Sequence, residues 1–265
     1  MDNSSLFDVK GKVVLVTGGA KGIGRMISEG FVQNGATVYV SSRDAKACEQ
    51  ACKELNALGK GKADYITADL YKEDDLKKIA EELKKREGKL DVLVNNSGSN
   101  WGEPYDTYPS AAWDRVLTLN LKRVFQLTQL LTPLLSTAST PTSPSRVINI
   151  GSVDGLRVPA LETFAYSASK AGLHHMSRVL ASHLGKRGIT SNTIACGPFE
   201  SKMMKATLEK HRSSIEGGVP LGRIGSMEDV AGTCIWLSSR AGAWVSGATV
   251  ALDGGVLWRV SCRRL

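Results

Sequence analysis

Tyr166 and Lys170 are the side chains of this sequence best suited to moving a proton. They stand four residues apart, and on a helix this spacing places both on one face. A free tyrosine titrates near pH ~10, and a nearby ammonium favours the phenolate, so we expect Lys170 to lower the pKa of Tyr166 toward neutrality. Such a phenol could act as a general acid or base at a bound oxygen atom. Taken alone, the pair fits an accidental contact on a surface helix equally well.

Ser152 and Asn120 extend this candidate site. Ser152 follows the apolar run 146–150, so we expect it at the carboxyl end of a strand, where open α/β sheets place their ligands. Its hydroxyl could bind a substrate oxygen and hold it about 3 Å from the phenol. Each residue alone also fits a structural role, as a loop or cap serine and as a polar helix residue. Their occurrence in chain order with Tyr166 and Lys170 favours catalysis.

A glycine-rich turn, Thr17–Gly24, follows the first predicted strand. Glycines at 18, 22 and 24 would let the backbone turn tightly and approach a pyrophosphate, which the amino end of the next helix would also attract. A glycine pattern without its context is weak evidence, and a turn without a ligand is the alternative. Here a predicted strand precedes the turn and a predicted helix, 22–34, follows it, which favours dinucleotide binding.

Short apolar runs alternate with helical patterns along the chain. This alternation indicates βαβ units in one domain over residues 1–265. We therefore predict an α/β protein with a single-domain doubly wound Rossmann fold, whose seven-stranded parallel sheet is flanked by helices on both faces. The predicted strands are 13–16, 37–40, 65–68, 91–94, 146–150, 189–194 and 248–252.

Two segments interrupt the alternation. Residues 136–145, STASTPTSPS, are rich in Pro, Ser and Thr and are predicted to form a flexible exposed loop before the fifth strand. Residues 199–222 contain a helical pattern between glycines and prolines, which is typical of a movable lid over a substrate.

Composition excludes several classes of protein. The 265 residues carry a net charge of +8, with 42% hydrophobic and 23% charged residues, which are ordinary globular values. The basic residues are scattered, so we expect no nucleic-acid partner. No apolar run approaches the length of a membrane helix, and the amino end resembles no signal peptide. Five cysteines without metal-like spacing favour reduced thiols in a cytoplasmic protein and no metal site.

In combination, these motifs resemble the short-chain dehydrogenase/reductase family over roughly residues 8 to 256. The spacing Gly-x-x-x-Gly-x-Gly is that of the family, whereas other Rossmann proteins have Gly-x-Gly-x-x-Gly. Asn95–Gly98 is similar to its Asn-Asn-Ala-Gly element with Ser97 in place of alanine. One departure is Cys196, which stands where the family usually has proline before Gly197. The motif residues are Gly18, Gly22, Gly24, Asn95, Asn96, Gly98, Asn120, Ser152, Tyr166 and Lys170.

The resemblance implies hydride transfer between a nicotinamide cofactor and a carbonyl or alcohol carbon. It implies that Asn120 holds a water linking Lys170 to solvent and that Lys170 also binds the nicotinamide ribose. The implied catalytic residues are Asn120, Ser152, Tyr166 and Lys170. The implied cofactor-binding residues are Gly18, Lys21, Gly22, Ile23, Gly24, Ser42, Arg43, Asp69, Leu70, Asn96, Gly98, Tyr166, Lys170, Gly197 and Ser201.

The end of the second strand favours NADP(H) over NAD. An acidic residue there would bind the ribose 2′-hydroxyl of NAD, but this strand ends in Ser41-Ser42-Arg43. A guanidinium can bind a 2′-phosphate in bidentate fashion, and Lys21 in the glycine turn adds a second positive charge. The alternative is that both are simply exposed bases on a basic protein.

Three functions remain open from the sequence. The first is an NADPH-dependent reductase of a ketone, such as a 3-oxoacyl thioester, because the match runs closest to family members that reduce 3-oxoacyl chains. The second is an NAD(P)-dependent dehydrogenase of a polyol or another secondary alcohol, and the third a non-catalytic protein that senses the dinucleotide.

The resemblance also implies a homotetramer or homodimer formed through helices near 110–135 and 164–186 and the last strand. We expect an apolar substrate cleft flanked by Trp101, Trp113, Met203 and Met204, although Trp113 fits a place in the core equally well.

Overall fold

The computed structural model describes residues 2–200 and 204–258. Within them, seven parallel strands form a single sheet in the order β3-β2-β1-β4-β5-β6-β7. This arrangement confirms the predicted seven-stranded, doubly wound Rossmann fold. The strands are β1 (Val13–Thr17), β2 (Thr37–Ser42), β3 (Lys62–Thr67), β4 (Val92–Asn95), β5 (Ser145–Ile150), β6 (Ile189–Cys196) and β7 (Thr249–Leu252).

Helices cover both faces of the sheet. On one face α2, α3 and α9 pack on the strands, and on the other face α4, α6 and α7 do so. None of the described helices is long and apolar enough to span a membrane. The helices are α1 (Asn3–Leu6), α2 (Gly22–Gln33), α3 (Ala45–Asn56), α4 (Glu73–Arg86), α5 (Ser110–Leu117), α6 (Arg123–Ala138), α7 (Phe164–Leu184), α8 (Lys205–Gly217) and α9 (Met227–Ser238).

The central strands are apolar along their whole length because both of their faces are buried. In β1, Val14 and Val16 join the core beneath α2, α3 and α9, while Val13 and Leu15 join the core beneath α4, α6 and α7. The period-2 alternation of a strand thus supplies two hydrophobic cores from one continuous apolar run.

The order of the strands reverses beside β1. Strand β1 pairs with β2 on one side and with β4 on the other. The sheet therefore grows from β1 in one direction through β2 and β3, and in the opposite direction from β4 onward. A crevice opens at such a point beyond the carboxyl ends of the strands. The glycine turn at the end of β1 and the Asn95–Gly98 segment at the end of β4 meet there.

The connection between α6 and β5 is shorter than predicted. Helix α6 continues to Ala138, and Ser145 is already the first residue of β5, so only residues 139–144 lie outside regular structure. The Ser145 hydroxyl donates to the Leu135 carbonyl oxygen and the Ser139 hydroxyl to the Gly188 carbonyl oxygen. These bonds secure both ends of the connection, where composition alone had suggested a loop.

The segment predicted as a lid contains the helix α8, as its sequence pattern indicated. The backbone of this helix departs from helical geometry at His211, where φ is −136° and ψ is 19°. Residues 201–203 lie outside the described residues. Two of them are Ser201 and Met203, for which the sequence predicted cofactor and substrate contacts. The movement of a lid stays a prediction.

Candidate active site

A cavity of about 800 Å³ opens at the carboxyl edge of the sheet, where the strand order reverses. Its size lies within the ~300–1,000 Å³ of typical ligand pockets. Of the predicted catalytic and cofactor-binding residues that the structure describes, Gly24 and Asn120 lie outside its lining. Those that line it are Gly18, Lys21, Gly22, Ile23, Ser42, Arg43, Asp69, Leu70, Asn96, Gly98, Ser152, Tyr166, Lys170 and Gly197.

The glycine turn is shaped by close approaches that exclude a side chain. Gly18 and Gly22 have positive φ, at 67° and 55°, a region that L-residues rarely adopt. A Cβ atom on Gly18 would stand 2.9 Å from Nδ2 of Asn96, and one on Gly24 would collide with the Gly18 carbonyl oxygen. Asn96 Nδ2 in turn donates to the Thr17 carbonyl oxygen at 2.8 Å. These contacts draw the amino end of α2 to the cavity wall, where its free N–H groups fit a pyrophosphate.

The end of β2 forms the positively charged corner of the cavity. Arg43 and Lys21 both line it, and Lys21 Nζ lies 3.0 Å from Oδ2 of Asp44. Oδ1 of Asp44 accepts a hydrogen bond from the Ala47 backbone N–H, so Asp44 is also the N-cap of α3. The predicted pair of cations is therefore present, but Lys21 forms an exposed ion pair with the Asp44 carboxylate.

Helix α7 carries Tyr166 and Lys170 to the opposite end of the cavity. Lys170 is buried, and its Nζ donates to the Ile150 carbonyl oxygen at 2.7 Å. The same nitrogen lies 5.6 Å from the centroid of the Tyr166 ring. The spacing of four residues thus places both groups on the cavity side of one helix, as predicted.

The predicted effect of Lys170 on the pKa of Tyr166 is wrong for this state of the protein. Burial raises the pKa of Tyr166 to about 12, against a lowering by its hydrogen bond with Ser152. Burial also lowers the pKa of Lys170 to about 8. The ammonium is directed at a backbone carbonyl rather than at the phenol oxygen, so desolvation dominates both pKa values. Tyr166 is accordingly a protonated phenol at neutral pH.

Ser152 stands where β5 ends, with its hydroxyl beside Tyr166. Its Oγ accepts a hydrogen bond from the Asp154 backbone N–H at 3.1 Å. Because a backbone donor occupies the oxygen, the serine proton remains available for an acceptor in the cavity. Such an acceptor can be the oxygen of Tyr166 or that of a bound molecule.

Asn120 supports the site from a π-helical turn, Thr118–Lys122, between α5 and α6. Its Nδ2 donates to the Ser99 carbonyl oxygen at 2.9 Å and to Ser169 Oγ at 3.0 Å, and its Oδ1 accepts from the Ser99 N–H. A Cβ atom on Gly98 would lie 3.2 Å from Asn120 Oδ1 and 3.8 Å from Lys170 Nζ. Asn120 therefore approaches Lys170 across Gly98. Its side chain anchors the loop after β4.

The substrate end of the cavity differs from the sequence prediction. Met204 lines it, but Trp101 packs beneath the Arg115 guanidinium and Trp113 packs edge-on against Tyr108, both away from the lining. Sequence reasoning missed the apolar residues that do line this end, because they follow no motif or period. They are Val153, Pro159, Ala160, Leu161, Ile215, Val219 and Val256.

Comparisons with known proteins agree with this architecture. A family model described as short chain dehydrogenase matches residues 12–212. The rhamnolipids biosynthesis 3-oxoacyl-[acyl-carrier-protein] reductase of Pseudomonas aeruginosa is 40% identical over 251 residues, which cover 94% of this chain and 97% of that protein. The 3-oxoacyl-[acyl-carrier-protein] reductase FabG of Escherichia coli is 33% identical over 247 residues, 93% of this chain and 98% of that protein.

Solved structures show the same fold. The Pseudomonas aeruginosa RhlG/NADP active-site complex matches with a TM-score of 0.91 and 39% identity, covering 96% of this chain and 99% of that chain. A 7α-hydroxysteroid dehydrogenase complexed with NADH and 7-oxoglycochenodeoxycholic acid matches with a TM-score of 0.89 and 31% identity, covering 96% and 98%. With its motifs, its sheet order and these likenesses together, the chain is an oxidoreductase that belongs to the short-chain dehydrogenase/reductase family.

Proposed function

We propose that this protein reduces a ketone, in particular a 3-oxoacyl thioester, to a secondary alcohol with NADPH as reductant. The observation that carries the proposal is the layout of one cavity. Tyr166, Lys170 and Ser152 meet at one end, and Lys21 and Arg43 lie at the other, with the glycine turn on the wall between them. Two relatives, both 3-oxoacyl-[acyl-carrier-protein] reductases, support the substrate class.

The residues of the cavity suit NADP(H). The turn around Gly18 and Gly22 would hold the pyrophosphate, and Arg43 with Lys21 would bind a 2′-phosphate on the adenosine ribose. Asp69 and Leu70 would border the adenine, and Lys170 would bind the hydroxyls of the nicotinamide ribose. When bound there, NADPH would supply the hydride that reduces the carbonyl carbon.

The protein supplies orientation and a proton. Ser152 donates a hydrogen bond to the ketone oxygen and holds it beside Tyr166, and the phenol then transfers its proton to that oxygen. With a pKa raised to about 12, Tyr166 carries the proton at neutral pH. Lys170, with a pKa lowered to about 8, exchanges protons readily in the neutral range and can restore the phenol. We propose that a water near Asn120 links Lys170 to solvent.

The substrate end of the cavity suits an apolar chain. Leu161, Ile215, Val219 and Val256 form its wall, and α8 covers it from the lid segment. An acyl chain would bury its methylene groups there, each contributing about 0.8 kcal/mol. The lid would exclude water from the reacting carbonyl when it closes over the substrate.

The proposed setting is the cytoplasm, with a homotetramer or homodimer as the working form. The cysteines that the structure describes are all free thiols, which suits a reducing compartment. One exposed apolar side chain on each of two helices, Phe125 on α6 and Val179 on α7, supports self-association.

Initial rates of NADPH and NADH consumption over a panel of ketones, including 3-oxoacyl thioesters, test the proposal. We expect reduction of 3-oxoacyl thioesters with a clear preference for NADPH. Tyr166→Phe should lower kcat by about 10²- to 10⁴-fold while NADPH still binds, because the change removes the proton donor but leaves Lys170 and the glycine turn in place. Tyr105→Phe is the matched control, since Tyr105 is 73% exposed and lies outside the cavity lining.

A preference for NADH with a secondary alcohol as the better substrate would favour the dehydrogenase alternative. Dinucleotide binding without turnover of any ketone or alcohol would favour a non-catalytic sensor. Full activity in Tyr166→Phe would exclude the mechanism described above.

A further inference from the structure

His174 lies on α7 one turn beyond Lys170, beneath the segment that carries Ser152. The residue is 2% exposed, and its Nε2 accepts a hydrogen bond from the Ser152 backbone N–H at 3.4 Å. No motif singles this residue out, and in sequence it is one of two adjacent histidines in an ordinary helical pattern. Its side chain is outside the lining of the cavity, so it does not touch a bound molecule directly.

The imidazole fills the space beside two glycines that flank Ser152. A Cβ atom on Gly151 would overlap with Nε2 of His174, and one on Gly155 would stand 2.9 Å from its Cε1. Real Cβ atoms do not approach other atoms so closely, so the ring is packed directly against this backbone. The ring therefore leaves no room for a side chain at Gly151, while at Gly155 the α7 backbone at Lys170 and Ala171 comes slightly closer than the ring. The backbone around Ser152 thus packs on the ring and on the helix that carries it.

The polar atoms of the ring indicate why a histidine stands here. Burial lowers the pKa of His174 to about 4, and Lys170 and Arg178 act in the same direction, so the ring is neutral. Since Nε2 accepts from Ser152, the proton belongs on Nδ1, which is buried without a hydrogen-bond partner among the described residues. A buried donor without a partner costs stability, and an apolar side chain would avoid that cost. What a histidine offers here, and an apolar side chain of the same size does not, is the Nε2 atom that accepts the hydrogen bond from Ser152.

Helix α7 thus supports the end of β5 at successive turns. Lys170 binds the Ile150 carbonyl oxygen, and His174 accepts from the Ser152 N–H. The Ser152 hydroxyl in turn depends on this backbone, because its Oγ is held by the Asp154 N–H. A shift of residues 151–154 would move the hydroxyl away from Tyr166.

We propose that His174 is a positioning residue, which fixes the backbone of Ser152 so that the serine hydroxyl stays directed at Tyr166 and at the substrate oxygen. The inference rests on the proposed ketone reduction for its kinetic consequence, but the hydrogen bond itself does not depend on that function. His174 acts through this backbone and not by contact with the substrate, because it lies outside the lining of the cavity.

Two variants separate the hydrogen bond from the packing. His174→Met has similar bulk and no comparable acceptor, whereas the amide oxygen of His174→Gln reaches about as far along the side chain as Nε2. With the best ketone of the panel, we expect His174→Met to lower kcat by about 10- to 100-fold, with KM and NADPH affinity close to those of the wild-type protein. His174→Gln should recover most of this loss. Wild-type kcat in His174→Met, or equal losses in both variants, would overturn the proposal.

The tautomer of His174 provides a test that needs no variant and no turnover. In protein labelled with ¹⁵N at its four histidines, the imidazole nitrogen shifts distinguish the two neutral tautomers and the cation. We expect His174 to be neutral at pH 7 with its proton on Nδ1, and the signal to disappear in His174→Gln. A proton on Nε2 would contradict the proposed contact. Failure of every ketone to react would instead count against the proposed function and would leave this measurement valid.

Discussion

The hydroxyl of Tyr166 and the ammonium of Lys170 belong to one helix face, yet their surroundings decide their protonation. Burial raises the pKa of the phenol to about 12 and lowers that of the ammonium to about 8. The spacing of four residues was enough to place both groups in one site. It could not show the depth of burial or the Ile150 carbonyl oxygen that holds Lys170, since both depend on how α7 packs against β5.

Asp44 is expected to weaken the binding of NADPH. Its carboxylate pairs with Lys21 at 3.0 Å, and it would also repel a 2′-phosphate brought to the same corner. Asp44→Asn keeps an N-cap for α3 while removing the charge. By calorimetry at low salt, we expect NADPH to bind about fivefold more tightly to this variant and NADH to bind as to the wild-type protein. An equal change for both dinucleotides would attribute the effect to α3 and not to the phosphate.

Buried His174 is expected to make the protein less stable in mild acid. Its pKa is about 4 in the folded state against an ordinary value of 6.5, so the unfolded chain binds more protons between these values. The free energy of unfolding therefore falls as the pH falls from 6.5 toward 4, by up to about 3 kcal/mol from this residue. Urea unfolding of the wild-type protein and His174→Gln between pH 4 and 7 measures the difference. The variant should show the shallower slope, and parallel slopes would contradict the assignment.

At the scale of elements, the sequence predicted which segments form strands better than it predicted where each strand begins and ends. Continuous apolar runs marked the buried strands, but β3 begins at Lys62, before the predicted residue 65, because its edge position leaves alternate side chains exposed. Asn120 was expected in a plain helix and lies in a π-helical turn, where the Thr118 carbonyl oxygen accepts from the Arg123 N–H five residues along. Composition does not predict such a turn. Here it is accompanied by the hydrogen bonds of Asn120 with Ser99, in the loop after β4, and with Ser169.

Two helix glycines are expected to respond in opposite directions to alanine. In Gly24→Ala of α2, the new Cβ would collide with the Gly18 carbonyl oxygen, whereas Gly232 of α9 is exposed and has no neighbouring atom within 4 Å of its Cβ position. Urea unfolding should show that Gly24→Ala destabilises the protein by about 1–3 kcal/mol and that Gly232→Ala stabilises it by about 0.5–1 kcal/mol. Calorimetry should show lost NADPH affinity for the first variant alone. Stabilisation by Gly24→Ala would refute the tight turn.

At the scale of the whole molecule, the topology assembles a site from distant parts of the chain. The turn after β1, the segment after β4 and Ser152 after β5 converge because parallel strands present their carboxyl ends at one edge. This much of the site followed from strand positions and motifs. The apolar substrate wall and His174 did not, because they depend on side-chain packing that no local pattern encodes.

Self-association through α6 and α7 is the expected assembly. Phe125 and Val179 on these helices are 43% and 44% exposed, which leaves apolar surface that a second copy of the chain could cover. Light scattering after size exclusion should give a mass of two or four chains of 28.4 kDa. Phe125→Glu should reduce that mass, because a carboxylate would be buried without a partner. Leu58→Glu is the control, since Leu58 is 37% exposed but follows α3, away from these helices. A wild-type protein that stays monomeric at all concentrations would exclude self-association. Equal effects of both variants would show that the contact does not depend on α6.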